Sequence, residues 1–402
     1  MINFKNMVDS YGSPLFAYDF NYMKNQYKEL KEAFRARKSL ICYAVKANSN
    51  LSVISHFAKM GAGADCVSIG EVKRAIMAGI PKYKIIFSGV GKSDSEIKEA
   101  LKLDILMINL ESEAEMTRVE LVAKELNMKA RISVRVNPNV DPLTHPYIST
   151  GLHKNKFGVD INTAKRMYIK AKNSEFLEAV GVHFHIGSQL TKLAPIAESI
   201  KIVSSFLRNL KALKINIKFF DVGGGIGIDY EGEKTIELYD YAQSIFMNLT
   251  GLDITVVCEP GRFLVGNSGY FVTKVLYEKQ NEDKRFIIVD GAMNDLVRPT
   301  LYQAYHKIEV LNDNQEFSKA DVVGPICESG DYFAKDRELP QTAHNDLLVI
   351  KSAGAYGFTM SSNYNTRGRV AEIAIEGNET RIIRKRESFD NMIALEKDYL
   401  CN

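Results

Sequence analysis

Between residues 39 and 259 the chain repeats one pattern eight times, a short apolar run followed by a longer amphipathic stretch. The runs are 40–45, 64–68, 85–88, 105–109, 130–136, 179–185, 219–223 and 255–259. The stretches between them include 112–126, 163–172, 196–214 and 234–248. A short apolar run without alternation suits a strand buried on both faces. Apolar residues spaced by three and four suit a helix. Parallel strands must be joined by crossovers, and helices are the usual ones. Eight such units are the number that closes a (β/α)8 barrel. The expected fold class is therefore α/β, with a TIM-type barrel over residues 28–265.

The texture changes after about Gly266. Segments 270–278, 285–290, 307–310, 346–352, 370–375 and 381–386 read as strands, and helical patterns are few. They predict a second, mainly antiparallel β domain made of residues 1–27 and 266–402. Leu15-Phe16-Ala17-Tyr18 is a candidate strand of the same sheet. A net charge of +3 on 402 residues offers no electrostatic case for nucleic acid or a membrane surface. Arg381-Ile382-Ile383-Arg384-Lys385-Arg386 alternates too much with apolar residues to be a phosphate-tracking stripe. No apolar stretch approaches the ~18 residues of a membrane span, and the N-terminus has no signal-peptide pattern. Cys42, Cys66, Cys258, Cys327 and Cys401 are odd in number and form no CxxC pair. That argues against a disulfide framework or a zinc knuckle, and for a reducing cytoplasm.

Active-site residues of such barrels sit at the C-terminal ends of the strands. Here those ends carry Lys46, Asp65 with Ser68, Ser88, Asn109, Asn137, His185, Gly223-Gly224-Gly225 and Glu259. Lys46 follows the first run. In a dry strand-end cavity its amine would lose affinity for a proton and become a nucleophile for carbonyls. A plain surface lysine is the alternative at that position. The glycines after the seventh run let backbone N–H groups approach a phosphate, and that loop is a recurring phosphate site in barrels. Taken alone, the same glycines also suit a tight turn. Gly261 and Arg262 follow the eighth run and suit the same anion. Glu259 is a strand-end carboxylate for a protonated ring nitrogen, or else half of a buried ion pair. His183-Phe184-His185 places two imidazoles on one expected strand face, but no further His or Cys stands at zinc spacing, so no metal is expected. An imidazole capping a flat ring is the other use of His185. Lysine, phosphate cradle, ring-nitrogen carboxylate and capping ring together match pyridoxal 5′-phosphate.

At this point the chain resembles the pyridoxal-phosphate decarboxylases of the alanine racemase-like fold, and within them the diaminopimelate decarboxylase family. The matching motifs run from Tyr43-Ala44-Val45-Lys46-Ala47-Asn48 through His145-Pro146-Tyr147-Ile148-Ser149-Thr150-Gly151, Lys156-Phe157-Gly158, His183-Phe184-His185-Ile186-Gly187-Ser188-Gln189 and Asp221-Val222-Gly223-Gly224-Gly225. They continue through Glu259-Pro260-Gly261-Arg262, Gly324-Pro325-Ile326-Cys327-Glu328-Ser329-Gly330-Asp331 and Gly354-Ala355-Tyr356-Gly357. A modest departure lies in Ser88-Gly89-Val90-Gly91-Lys92-Ser93, where part of the family carries an Asn near Val90.

The resemblance implies roles. Lys46 would anchor the cofactor covalently, with Asp65 among the cofactor-binding groups. His185 would stack on the ring, and Glu259 would hold its nitrogen. Ser188, Gly225, Gly261 and Arg262 would surround the phosphate. Arg262, Arg298 and Tyr302 would meet the substrate's distal carboxylate and Glu328 its distal ammonium, while Tyr356 would touch cofactor and substrate. Cys327, in a loop that the family extends into the partner subunit's site, would protonate the product carbon, so a homodimer with shared sites is implied. The implied reaction is decarboxylation of meso-diaminopimelate at its D-centre to L-lysine and CO2. Related decarboxylases acting on ornithine, arginine or carboxynorspermidine are the alternative, tilted against by Glu328-Ser329-Gly330-Asp331. A non-catalytic cofactor-binding protein is another. Alanine racemases fit less well, because they place an arginine by the pyridine nitrogen.

Overall fold

A computed structural model describes residues 2–142, 144, 150 and 155–400. Apart from Thr150, the motif at 145–151 lies outside the described residues, and so does Cys401. The chain divides into two compact units: Lys24–Ile228 with Lys234–Leu264, and Met1–Met23 with Asp229–Glu233 and Val265–Asn402.

In chain order the first strand, β1 (Leu15–Asp19), belongs to the second of these units. The barrel unit follows with β2 (Ser39–Ala44), β3 (Gly63–Cys66), β4 (Ile85–Phe87), β5 (Met107–Leu110), β6 (Ala130–Arg135), β7 (Leu177–His183), β8 (Phe219–Asp221) and β9 (Thr255–Cys258). Each pairs in parallel with the next, and β9 returns to β2, so the sheet closes on itself. All eight expected runs are strands of this barrel, ending one or more residues short of the apolar run in every case but β5. Cys42, Ile86, Met107, Val180 and Val257 come from five different strands and form one buried cluster, which only the barrel interior can accommodate. Short polar residues end the turns that leave strands and start helices. Ser68, Ser112 and Asp160 accept backbone N–H groups at helix N-termini, and Ser93 with Glu96 makes a capping box. These caps keep several of the turns short and fix where the strand ends project.

The second unit adds β10 (Gly269–Asn281), β11 (Lys284–Val289), β12 (Ile308–Leu311), β13 (Phe317–Val323), β14 (Tyr332–Pro340), β15 (Leu347–Ile350), β16 (Ala371–Glu376) and β17 (Glu379–Arg384). The strand order is β14-β13-β11-β10-β1-β16-β17, with β15 joining β10 to β12. Pairing is antiparallel except for β1 with β16 and β11 with β13. The N-terminal strand thus lies inside the sheet, and the basic run near 381 is part of strand β17. On one face Met7, Leu15, Ala17, Val272, Ala371, Ile373 and Ile375 form an apolar core, covered by Phe4, Val8 and Tyr11 of the helix Phe4–Tyr11. On the other, Phe16 packs against Phe271 and Phe358.

Candidate active site

Lys46 is not the last residue of a strand. β2 stops at Ala44, and Lys46 sits in the 3-10 turn Val45–Ala47. Its Nζ donates to Asp65 Oδ2 at 2.6 Å, and its side chain is 36 % exposed. A polar pair therefore replaces the dry cavity that the sequence suggested. Asp65 is delivered by β3, where it lies opposite Ala44 in register and is fully buried. Burial pushes its carboxyl up, as does the nearby Glu259, while Lys46 pulls it down.

β7 ends at His183, so His185 lies beyond the strand rather than on its face. The two histidines have different partners. His185 Nδ1 accepts the Gly224 N–H at 3.2 Å, which leaves the proton of a neutral ring on Nε2. Withdrawal from water, followed by the charge of Arg135, lowers the His185 pKa well below its usual value and keeps the ring neutral. Arg135 also fixes the backbone there: it donates to the His185 carbonyl at 3.1 Å and to Glu111 at 3.0 Å, and its guanidinium lies 4.6 Å from the centre of the Phe157 ring.

The glycine run is a close crossing of three segments. Gly223 (φ +66°) and Gly225 (φ +102°) adopt left-handed backbone that L side chains avoid. A Cβ on Gly224 would collide with the Glu259 carbonyl, and one on Gly225 with the Gly187 carbonyl. Leu190 N–H bonds to Gly225 O at 2.8 Å, tying this loop to the one that carries Ser188. Arg262 Nη2 donates to Ser188 Oγ at 3.0 Å, and a Cβ on Gly261 would lie 3.0 Å from Ala47 beside Lys46. Backbone amides, a hydroxyl and a guanidinium thus converge as a phosphate cradle does.

Glu259 is buried, and among the described residues its Oε1 has no hydrogen-bond partner, so this acceptor suits a ring N–H. Its Oε2 is 3.4 Å from Nε2 of the buried His183. Burial alone would raise the Glu259 carboxyl, but His183, then Lys46 and Asp221, outweigh it and hold the group low. Sequence spacing around His183 bears only on zinc and does not reveal this pairing with Glu259.

The remaining candidates belong to the β unit. Arg298 opens the helix Arg298–Tyr302, with Pro299 at its first turn; it is 5 % exposed and donates to Tyr230 Oη at 3.0 Å. Tyr302 closes the same helix and is partly exposed. The 324–331 loop is built around Asp331, which accepts Met293 N–H and Ile326 N–H, each at 2.7 Å. Thr300 Oγ1 donates to Gly330 O at 2.6 Å, joining loop and helix. Cys327 and Glu328 are exposed on that loop. The Cys327 N–H donates to Asn365 Oδ1 at 2.9 Å, and the Tyr364 hydroxyl hydrogen-bonds to Glu328. Tyr356 has a left-handed backbone, φ 56°. Tyr230, Tyr364 and Asn365 were missed from sequence, and no local spacing announces them.

The sequence model of the pyridoxal-dependent decarboxylases, pyridoxal binding domain, matches residues 21–266. The chain is 60% identical to a diaminopimelate decarboxylase of Campylobacter jejuni, over 99% of this chain and 100% of that one. Among solved structures, diaminopimelate decarboxylase from Helicobacter pylori, complexed with L-lysine, superposes with a TM-score of 0.97 at 53% identity, covering 99% of this chain and 100% of that one. The enzyme from M. jannaschii, also in complex with L-lysine, gives 0.92 at 36% identity over 97% and 93%.

Proposed function

Since the chain belongs to the pyridoxal-dependent decarboxylases, and within them to the diaminopimelate decarboxylases, we propose that the barrel rim around Lys46 holds pyridoxal phosphate for this reaction. The protein decarboxylates meso-2,6-diaminopimelate at its D-centre, giving L-lysine and CO2, the last step of lysine biosynthesis. The observation that carries the site reading is the convergence of Lys46, the glycine cradle and buried Glu259 on one end of one barrel.

When bound, pyridoxal phosphate supplies an aldehyde for amines and a protonated ring that accepts the electron pair released as CO2 departs. The chain's residues do the rest. Lys46 provides the anchoring amine, and Asp65 orients it. Gly225, Gly261, Ser188 and Arg262 hold the phosphate. Neutral His185 would face the ring, and Glu259 would accept its N–H. Arg298 and Tyr302 bind the distal carboxylate, Glu328 binds the distal ammonium, and Tyr356 contacts both cofactor and substrate. The Cys327 thiol gives its proton to the carbon that has lost CO2. Exposure of Cys327 and Glu328 supports a loop that serves a neighbouring protomer, hence a homodimer with shared sites. Free thiols suit a cytoplasmic setting.

Lys46→Ala should abolish both the visible absorption of bound cofactor and its trapping by borohydride; retention of both would end this reading. Release of CO2 from meso-diaminopimelate, set against the L,L and D,D isomers and ornithine, tests the substrate. Mixing inactive Lys46→Ala and Cys327→Ala proteins should restore about a quarter of native activity if sites are shared across a twofold dimer, and none if each chain is self-sufficient.

A further inference from the structure

His183 has no role in the function proposed above. It is the last residue of β7, it is 2 % exposed, and its register partner on β8 is Asp221, also fully buried. Ligating atoms of His183, Asp221 and Glu259 all lie within 4.8 Å of one another. Asp65 adds a third carboxylate to the same end of the barrel. Three buried carboxylates this close cannot all be charged without counter-charges. Burial, and then Glu259, push the Asp221 carboxyl well up. Glu259 itself must stay anionic to keep a pyridine nitrogen protonated. Lys46 is a cation near it, yet that amine changes its bonding whenever it takes up or releases the cofactor. A constant neighbour for the carboxylate has to be a group with no covalent duty, and His183 Nε2 stands 3.4 Å from Glu259 Oε2.

The geometry points to His183 as a positioning residue: across 3.4 Å its imidazole keeps the Glu259 carboxylate an anion and fixed in place for the ring nitrogen of the cofactor. This rests on the reading that Glu259 serves that nitrogen. The other titratable groups that act on this cluster are Lys46, Asp65, Asp221, His185, Arg135 and the thiols of Cys42 and Cys258.

The test follows the ring nitrogen rather than turnover. Holoenzyme is reconstituted with pyridoxal phosphate labelled with nitrogen-15 in the ring, and the ring-nitrogen resonance is followed across the neutral pH range. In the native protein the nitrogen should remain protonated throughout. In His183→Gln, which replaces the imidazole by an amide, its deprotonation should move down by at least about one pH unit, a tenfold change in equilibrium. His183→Phe should move it further and weaken cofactor binding as well, and kcat should fall in both variants with KM little changed. A native ring-nitrogen titration in His183→Gln overturns the proposal, whether or not His183→Phe folds. If Glu259→Gln also leaves the nitrogen protonated, the fault lies in the assignment of Glu259 and not in that of His183.

Discussion

A single methyl group is the smallest probe of the phosphate cradle. Gly225→Ala would force a Cβ into the Gly187 carbonyl at a left-handed position. Pyridoxal phosphate should then bind at least tenfold more weakly, about 1.4 kcal/mol, with the far-ultraviolet circular dichroism of the barrel unchanged. Titrating apo-protein with cofactor measures this, and native affinity would remove the loop from the phosphate site. At this scale, the legible residues were those whose chemistry is local. Lys46, the three glycines and Glu259 each follow an apolar run directly. His183 as a partner of Glu259, Tyr230 beneath Arg298 and Asn365 behind Cys327 were not legible, because each pair is made only by folding and joins residues far apart in sequence. Lys46 itself was read one step too simply. Its place in a turn beside Asp65 depends on the β2–β3 register, and one strand alone does not display that.

Elements were legible in proportion to their burial. The eight barrel strands are dry on both faces, and their continuous apolar runs say so. β13 and β14 give no strand signal in the sequence, because a largely exposed polar block, Lys335-Asp336-Arg337-Glu338, sits in the middle of β14 and half of β13 is not buried. The helix Phe4–Tyr11 was missed as well, being too short for a clear period. Close crossings of backbone were also invisible. Gly269 and Gly354 pass each other so tightly that a Cβ on Gly354 would collide with the Val265 carbonyl. Gly354→Ala should therefore destabilise the β unit by at least about 3 kcal/mol in urea unfolding, since rigid backbone cannot yield. Gly251→Ala meets nothing within 4 Å and is strained only by its φ of 79°, so it should cost about 1 kcal/mol. Equal losses at the two sites would mean that the crossing is looser than described.

For the whole molecule, one buried carboxyl sets a pH slope. Burial raises Asp295 from 3.8 to about 7, against the pull of the Ala292 N–H, Arg367 and Arg386. The folded chain therefore keeps a proton that the unfolded chain releases near 3.8, and stability falls as pH rises until about 7. The loss is at most about 4 kcal/mol. Asp295→Asn should match the native protein near pH 4 and exceed it in stability above pH 7, as read from the difference of their urea midpoints; parallel curves would acquit Asp295. The division into a barrel and a β sheet was legible from the change of texture near residue 266. The assignment of Asp229–Glu233 to the β unit was not, because that short excursion carries no strand or helix pattern of its own. The same topology has a consequence during synthesis. β1 is translated before the barrel, but the strands on either side of it, β10 and β16, begin only at Gly269 and Ala371. At ~5–20 residues per second, Leu15-Phe16-Ala17-Tyr18 waits roughly 20–70 s for its second neighbour while the entire barrel emerges. Until β10 emerges this apolar strand has two open edges, and until β16 emerges it has one. A circular permutant that moved β1 behind β17 would shorten the wait to seconds.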